Sequence, residues 1–391
     1  MFKRMYTQSL YALILLAACG PSKQEEETST AFVPNPQEVI EQPIPKLQVG
    51  DVAPYFNLPS TEGNYVSIDD FKDDEVLVVL FTCNHCPTAQ AYEDRFIQTV
   101  NDYKGKSVAF VAISPNSPIG VLPEELGYTD LNDDYHSMQV RYVDKQYNFP
   151  YLYDGDLHQY SIAYGPTATP QVFVFDKERK LTYSGRIDAS EKPGTGNAED
   201  LRNAIDKTLA GESVENAISN AFGCSTKWAW KNEYAKKVNA EWKEKPVEVQ
   251  KISTEGLRKL LENESDKLLL VNFWATWCGP CVIEYPEFIE IHRMYGARDF
   301  QFVSVSMDNP SQEEKVLKFL KSKYSAVPNY LIDTEDKYAV IDVVQNDWDG
   351  SLPITLLIEP GGNVAYKVPG EIDPLALRKA IVDHPMIGRY Y

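Results

Sequence analysis

The motif Cys-x-x-Cys occurs twice in this chain, and both copies stand in the same local context. One copy pairs Cys83 with Cys86, and the other pairs Cys278 with Cys281. Each follows a continuous apolar run and precedes a helical pattern; the runs cover residues 76–81 and 268–274, and the helical patterns cover about 89–103 and 282–295. Apolar runs of this length are typical of central strands that are covered on both faces. The repetition of strand, turn and helix predicts a duplicated α/β unit.

The spacing of the cysteines indicates redox chemistry. Two cysteines three positions apart on the first turn of a helix lie on one face, within reach of a disulfide. The helix N-terminus stabilises a thiolate, which is the form that attacks disulfides, and the second cysteine resolves the mixed disulfide. Each pair supplies only two metal ligands, and the pairs lie in separate units, so neither a shared zinc site nor any other metal or cofactor is expected.

The length and net charge of the chain limit the number of domains and the class of partner. The chain has 391 residues, with 38 Lys and Arg against 57 Asp and Glu, and a formal charge of −19. This length suits two or three domains. A nucleic-acid partner is excluded, because phosphate contacts need a clustered basic surface.

The N-terminus has the pattern of an export signal. Basic residues precede an apolar run that is too short to span a bilayer, which predicts a signal peptide over residues 1–18. The sequence Leu-Ala-Ala-Cys ending at Cys19 resembles the lipobox of bacterial lipoproteins, which implies lipidation at Cys19. An ordinary cleaved signal is the alternative. Residues 19–46 then form a proline-rich, acidic tether, and Gly20 favours the outer membrane over the inner membrane.

The second half resembles thioredoxin over residues 271–281 (VNFWATWCGPC). The resemblance extends to a loop at Pro353, which matches the cis-proline loop that faces the active-site disulfide in that family. Thioredoxins carry a buried Asp where this chain has Asn272. Glu284 takes its place as the candidate for proton handling, as in membrane-anchored, TlpA-like reductases. The alternative for Glu284 is a solvated helix charge.

The first half resembles the peroxiredoxin and redoxin (AhpC/TSA-like) family at residues 49–58 and 164–174. The match implies a second cis-proline at Pro170, facing Cys83 and Cys86. The Pro-x-x-x-Thr-x-x-Cys pattern of peroxidatic cysteines is missing before Cys83, so peroxide reduction is the alternative function here. The segment is closer to the branch of this family that carries Cys-x-x-Cys.

His85 lies between the cysteines of the first motif, as in oxidising members of the fold. An imidazole there is expected to stabilise the Cys83 thiolate and to make the first disulfide the stronger oxidant. Electrons would then pass from the second centre to the first. The alternative is that His85 is only a polar residue at an exposed turn.

Cys224 is the odd cysteine, in a Gly-Cys-Ser-x-Lys-Trp segment that is similar to one in the same branch of the redoxin family. It is either a third redox thiol or a small buried residue. A lysine-rich helix is predicted over 225–246, with an aromatic stripe that docks on its own domains or touches a membrane; the stripe is Trp230, Tyr234, Val238 and Trp242.

These expectations combine into two thioredoxin-like α/β domains, each with a central mixed sheet flanked by helices, joined by a linker helix. The predicted domains are residues 47–224 (redoxin-like) and 247–391 (TlpA-like). The predicted function is thiol–disulfide exchange with extracytoplasmic proteins by a lipid-anchored protein, supplied with electrons by a membrane donor. Cys278 and Cys83 are the predicted nucleophiles, and Cys281 and Cys86 resolve. A thiol peroxidase and a non-enzymatic Cu or Zn carrier are the alternatives.

Overall fold

The computed structural model describes residues 32–344 and 348–390. The predicted signal peptide and the lipidation site at Cys19 lie outside the described residues. Within them, no helix combines the length and apolar character needed to cross a membrane.

Four sheets are formed by the described strands. These strands are β1 (Asn57–Pro59), β2 (Tyr65–Ser67), β3 (Val76–Phe81), β4 (Val108–Ser114), β5 (Tyr151–Tyr153), β6 (Ala168–Thr169), β7 (Gln171–Phe175), β8 (Leu181–Gly185), β9 (Cys224–Ser225), β10 (Gln250–Ile252), β11 (Leu268–Trp274), β12 (Phe300–Ser306), β13 (Asn329–Ile332), β14 (Ile354–Ile358) and β15 (Val364–Pro369). Two of the sheets are large, and the pairs β1–β2 and β6–β9 form the small ones.

The two large sheets share the same order of five strands, and the second sheet has an additional edge strand, β10. The first has the order β5-β4-β3-β7-β8, and the second has β10-β13-β12-β11-β14-β15. In each, the strand before the cysteine motif is central, with a parallel neighbour on one side and an antiparallel neighbour on the other. Every residue of β3 and β11 is buried, as their continuous apolar runs predict.

Helices flank these sheets, and the predicted α/β class with two mixed sheets is confirmed. The described helices are α1 (Pro87–Asp102), α2 (Tyr135–Asp144), α3 (Ser161–Tyr164), α4 (Glu199–Leu209), α5 (Asn232–Lys243), α6 (Thr254–Glu262), α7 (Gly279–Tyr295), α8 (Glu313–Ser322), α9 (Lys337–Val344) and α10 (Pro374–Val382). The helices predicted after the two motifs are α1 and α7.

The helix predicted over 225–246 is shorter than expected. It begins at Asn232, because Cys224 and Ser225 are paired in a sheet and residues 229–231 form a short 3-10 turn. The predicted aromatic stripe is wrong as a continuous face. Trp242 is buried and its indole N–H donates to the carbonyl of Tyr324, whereas Tyr234 is 63% exposed.

A long connection between β4 and α2 contacts both halves of the chain. Arg293 of α7 forms a bidentate ion pair with Glu124 in this connection, at 2.7 and 3.0 Å. The Tyr295 hydroxyl donates to the carbonyl of Thr129 at 2.7 Å. A few residues later, the same connection carries Asp133 to the first cysteine motif, so it joins the second sheet's helix layer to the first site.

Candidate active sites

The second cysteine pair forms a disulfide at the start of α7. Cys278 is the N-cap of this helix, and the Cys281 N–H lies 3.4 Å from its sulfur. The prediction that this spacing allows a disulfide is confirmed. Trp277, directly before Cys278, is 65% exposed, and Ile283, two residues after Cys281, is 73% exposed.

Glu284 lies on α7, one helical turn beyond Cys281. Its side chain is only 5% exposed, so the alternative of a solvated helix charge is wrong. One carboxylate oxygen accepts from the backbone N–H of Ile372 at 2.9 Å, and the other has no hydrogen-bond partner in the described part of the chain. Burial raises the pKa of Glu284 to about 7, against the lowering effect of the Ile372 hydrogen bond. A carboxyl of this kind gives and takes protons near neutral pH.

Asn272 occupies the position of the buried acid that thioredoxins carry. It is 1% exposed, and its amide donates to the Thr355 hydroxyl at 3.1 Å. The bond between Leu352 and Pro353 is cis, as expected from the resemblance.

The first cysteine pair is reduced and buried, with 3% of Cys83 and none of Cys86 exposed. Helix α1 begins at Pro87, so Cys86 is its N-cap and Cys83 lies before the helix. This differs from the second motif, in which the first cysteine is the N-cap. Proline directly after Cys86 favours this start, because its fixed φ suits the first helical position.

Thr169 contacts both sulfurs of this pair. Its hydroxyl lies 3.0 Å from the Cys83 sulfur, and its carbonyl oxygen lies 3.1 Å from the Cys86 sulfur. The following bond to Pro170 is cis, so the predicted loop does face both cysteines. The sequence singles out Pro170 and misses Thr169, whose role depends on the fold.

Cys224 joins the same cluster. Strand β9 pairs antiparallel with β6, which sets Cys224 opposite Thr169. The Cys224 N–H donates to the Cys86 sulfur at 3.2 Å. Cys224, which is distant in sequence, therefore meets the thiols of Cys83 and Cys86 at the first site.

His85 points into the protein and is 1% exposed, so the alternative of an exposed turn is wrong. Its Nδ1 lies 2.5 Å from a carboxylate oxygen of Asp133, which is itself fully buried. Asp133 also accepts from the backbone N–H groups of Asn84 and His85, at 2.9 and 3.0 Å, and from the Asn116 amide at 2.8 Å. No local pattern marks Asp133 in the sequence, since its partners lie far along the chain.

The charges of this cluster act on its thiols. Burial lowers the pKa of His85, but the charge and hydrogen bond of Asp133 raise it, and the net direction is upward. Burial also raises the pKa of Cys86, yet hydrogen bonds from the Cys224 and Cys83 thiols and the His85 charge hold it well below its usual range. The Thr169 carbonyl opposes this by accepting from a protonated Cys86, but it is outnumbered by the donors. Burial and the neighbouring sulfur raise the pKa of Cys83.

Three donor groups at this site suit a metal ion. One donor atom each from Cys83, His85 and Asp133 lie within 4.8 Å of one another. A thiolate and an imidazole together suit Zn or Cu(I).

Comparisons with known proteins identify relatives of both halves. The model of the AhpC/TSA family matches residues 49–184 and 245–367. A thiol-disulfide oxidoreductase, ResA from Bacillus subtilis (strain 168), is 32% identical over 118 residues, which are 30% of this chain and 61% of that protein. A thioredoxin from Coprinus comatus is 34% identical over 68 residues, which are 17% of this chain and 59% of that protein. The chain thus spans about three fifths of the length of these curated relatives.

One solved structure covers nearly half of the chain. It is that of a hypothetical protein from Sinorhizobium meliloti 1021, 32% identical, with a TM-score of 0.42, and the match covers 47% of this chain and 97% of the other.

Proposed function

The chain belongs to the AhpC/TSA family, whose model covers more than half of it, and from this premise we propose that it is a thiol–disulfide oxidoreductase with two redox centres. The observation that carries the proposal is the Cys278–Cys281 disulfide at the N-terminus of α7, and the cis bond before Pro353 and the exposed Trp277 directly before Cys278 support it. Thiol-disulfide oxidoreductases among its relatives support the reaction class.

The second centre exchanges disulfides with polypeptides. The Cys278 thiolate attacks a substrate disulfide, and one substrate sulfur leaves as a thiolate. Cys281 then attacks Cys278, which restores the Cys278–Cys281 disulfide and releases the second substrate thiolate. Two electrons pass to the substrate, and an upstream dithiol restores the reduced pair. The Pro353 loop pairs with an extended substrate segment, since a proline there removes a donor and leaves neighbouring backbone groups for that strand.

Glu284 handles protons for this exchange. Its buried carboxyl lies one turn from Cys281 on the same helix face, and its pKa of about 7 lets both forms be populated at neutral pH. The carboxylate takes a proton from the Cys281 thiol when that sulfur must attack, and returns it when the disulfide is reduced.

In the first centre we assign the thiolate to Cys86 rather than to Cys83. Cys86 is the N-cap of α1, and Asp133 raises the pKa of the neighbouring His85, whose positive charge favours the Cys86 thiolate. Stabilising a thiolate favours the reduced form, which makes the Cys83–Cys86 disulfide the stronger oxidant. Electrons accordingly pass from the second centre to the first.

The cellular arrangement completes the proposal. Cys19 is lipidated, residues 19–46 tether the chain to the outer membrane, and both centres face the periplasm. Residues 47–224 form the redoxin-like domain and residues 247–391 the TlpA-like domain, with residues 225–246 as the connector. A membrane protein supplies electrons.

The reaction is tested by trapping. Cys281→Ser retains the attacking sulfur but cannot resolve, so incubation with insulin is expected to accumulate a mixed disulfide at Cys278. Cys278→Ser with Cys281→Ser is the control and should trap nothing. An absence of trapping, together with no insulin reduction by the reduced wild type, would overturn the proposal.

The two alternatives predict other outcomes at the first centre. A thiol peroxidase forms sulfenic acid at Cys83 or Cys86 on adding peroxide, faster than disulfide exchange proceeds. A metal carrier retains one equivalent of Zn(II) or Cu(I) through equilibrium dialysis of the reduced chain, through the donors of Cys83, His85 and Asp133. Either result, without trapping at Cys278, would replace the oxidoreductase assignment.

A further inference from the structure

The two cis-proline loops of this chain differ in what covers them. At the second centre, no strand of residues 32–344 and 348–390 pairs with Ser351 or Leu352, the two residues before the cis-proline. At the first centre, the equivalent residues Ala168 and Thr169, which precede cis-Pro170, are paired with β9 of the same chain. A sheet edge that already carries a strand cannot accept another one. The first centre is therefore closed to strand pairing by a polypeptide substrate.

The segment that covers this edge is firmly held. Gly223 has φ of +122°, and a Cβ at this position would lie 2.0 Å from the carbonyl oxygen of Thr169, so only glycine fits so close an approach. On the other side of Cys224, the Thr226 hydroxyl donates to the Pro166 carbonyl at 2.8 Å. The Lys227 N–H donates to the Asn116 side chain, also at 2.8 Å. These contacts hold Cys224 beside Cys83 and Cys86, so no movement of the segment is needed to bring it there.

The position of Cys224 gives it access that the other two cysteines lack. Cys83 and Cys86 are buried, whereas Cys224 is partly exposed. Its backbone N–H donates to the Cys86 sulfur at 3.2 Å, and its side chain packs against the cluster of Cys83 and Cys86. Cys224 is therefore the cysteine of this cluster that is both accessible to solvent and in contact with Cys86.

We propose that Cys224 is the third redox thiol of the first centre, that it forms a disulfide with Cys86, and that external dithiols reach the centre through it. This inference rests on the proposed oxidoreductase function and specifies the partner of its first centre. The partner is a dithiol that attacks an exposed sulfur, in contrast to the extended polypeptide that pairs with the loop at Pro353.

The exchange is balanced within the chain. The Cys224 thiolate attacks the Cys86 sulfur of the Cys83–Cys86 disulfide, one S–S bond forms, and Cys83 leaves as a thiolate that takes up a proton. No net oxidation occurs in this step. A partner thiolate then attacks the Cys224 sulfur, the Cys86–Cys224 bond breaks, and Cys86 leaves as a thiolate. The second partner thiol resolves the mixed disulfide, so two electrons pass from the partner to the centre.

Disulfide mapping of the full-length chain tests the inference. Cys278→Ala with Cys281→Ala isolates the first centre, and glutathione buffers of graded ratio oxidise it. Free thiols are alkylated, and disulfide-linked peptides are identified by mass spectrometry without reduction. We expect a state in which Cys83 is alkylated and Cys224 is linked. In a Cys83→Ser variant of this background, the Cys86–Cys224 link should be the sole product.

A matched control moves the thiol by one residue. Cys224→Ser with Ser225→Cys places the sulfur on the other face of β9, because side chains alternate along a strand, and should abolish the link. Reduced thioredoxin serves as a protein dithiol probe, and Cys224→Ser is expected to slow its reduction of the Cys83–Cys86 disulfide by ~10-fold or more.

The outcomes separate the two proposals. If Cys83–Cys86 forms reversibly while Cys224 is alkylated at every ratio, or if Cys224→Ser leaves the rate with thioredoxin unchanged, the role of Cys224 is refuted and the oxidoreductase function stands. If no disulfide forms among the three cysteines, both the inference and the redox role of the first centre fail.

Discussion

Replacing Asp133 by asparagine removes the negative charge at the centre of the first site with little change in size. The carboxylate accepts from two backbone N–H groups, from the Asn116 amide and from Nδ1 of His85, and the side chain is fully buried. Removing one partner of a buried ion pair costs about 3–5 kcal/mol, since the other charge stays buried without compensation. Asparagine retains an oxygen for part of these contacts, so we expect a loss near the lower limit, about 3 kcal/mol.

The loss depends on pH in a defined way. Burial raises the pKa of Asp133, but the charge and hydrogen bond of His85 lower it overall, so its contribution is present above the unfolded value near 4 and disappears as pH falls. The pKa of His85 is raised, so its contribution is complete below the unfolded value of about 6.5 and is lost as pH rises through the folded value. The difference in unfolding free energy between wild type and Asp133→Asn is therefore largest between about pH 4 and 6.5.

The same substitution acts on Cys86. Without the carboxylate, the pKa of His85 falls, and because the positive charge of His85 favours the Cys86 thiolate, the pKa of Cys86 should rise. Denaturant titration at several pH values measures the stability. The pH dependence of iodoacetamide labelling, resolved by peptide mass spectrometry, measures the thiol.

Asp134→Asn is the matched control for Asp133→Asn. Asp134 caps α2 through the N–H of Ser137 at 2.9 Å, and asparagine is an equally good N-cap, so this variant should resemble wild type. Equal stability of the two variants, with unchanged labelling of Cys86, would refute the role of the buried pair.

Three further substitutions address the other features. Glu284→Gln should remove the inflection near pH 7 from the rate of insulin reduction measured by stopped flow. Because the raised carboxyl pKa makes wild-type stability fall as pH rises from about 4 to 7, the variant should also lose that fall in denaturant unfolding. Unchanged pH profiles in both assays would contradict the proton role. Gly223→Ala should cost at least ~2 kcal/mol more in denaturant unfolding than Gly63→Ala, because both have positive φ but only the former meets a carbonyl; equal losses would contradict the close approach. Trp277→Ala should change stability by less than about 0.5 kcal/mol, since the side chain is 65% exposed, while raising KM for insulin; an unchanged KM would remove Trp277 from the docking surface.

The local parts of both sites were predictable from the sequence. The apolar runs before Cys83 and Cys278 specify central strands, and the following patterns specify α1 and α7, because helix and strand periodicity depend on neighbouring residues. The cis bonds before Pro170 and Pro353 followed from family resemblance, since their geometry has no signature in the residue pattern alone.

Other features depended on contacts that no local pattern encodes. The sequence around Glu284 is compatible with either a solvated or a buried side chain. Its burial depends on the tertiary packing that brings Ile372 against it. The continuous aromatic stripe expected from Trp230 to Trp242 did not form for a similar reason, because α5 begins only at Asn232, after the paired strand β9 and a 3-10 turn.

By itself, the sequence determined that this chain places two cysteine pairs between buried strands and helices, which is enough to predict an α/β redox protein. Only the tertiary structure decided that Asp133 holds His85, that Cys86 caps its helix, and that Cys224 lies against Cys86. The physical reason is the sequence separation of the interacting residues. A strand or helix forms from neighbouring residues, whereas the charge and reactivity of a buried thiol are set by groups that the topology brings within about 3–4 Å from distant parts of the chain.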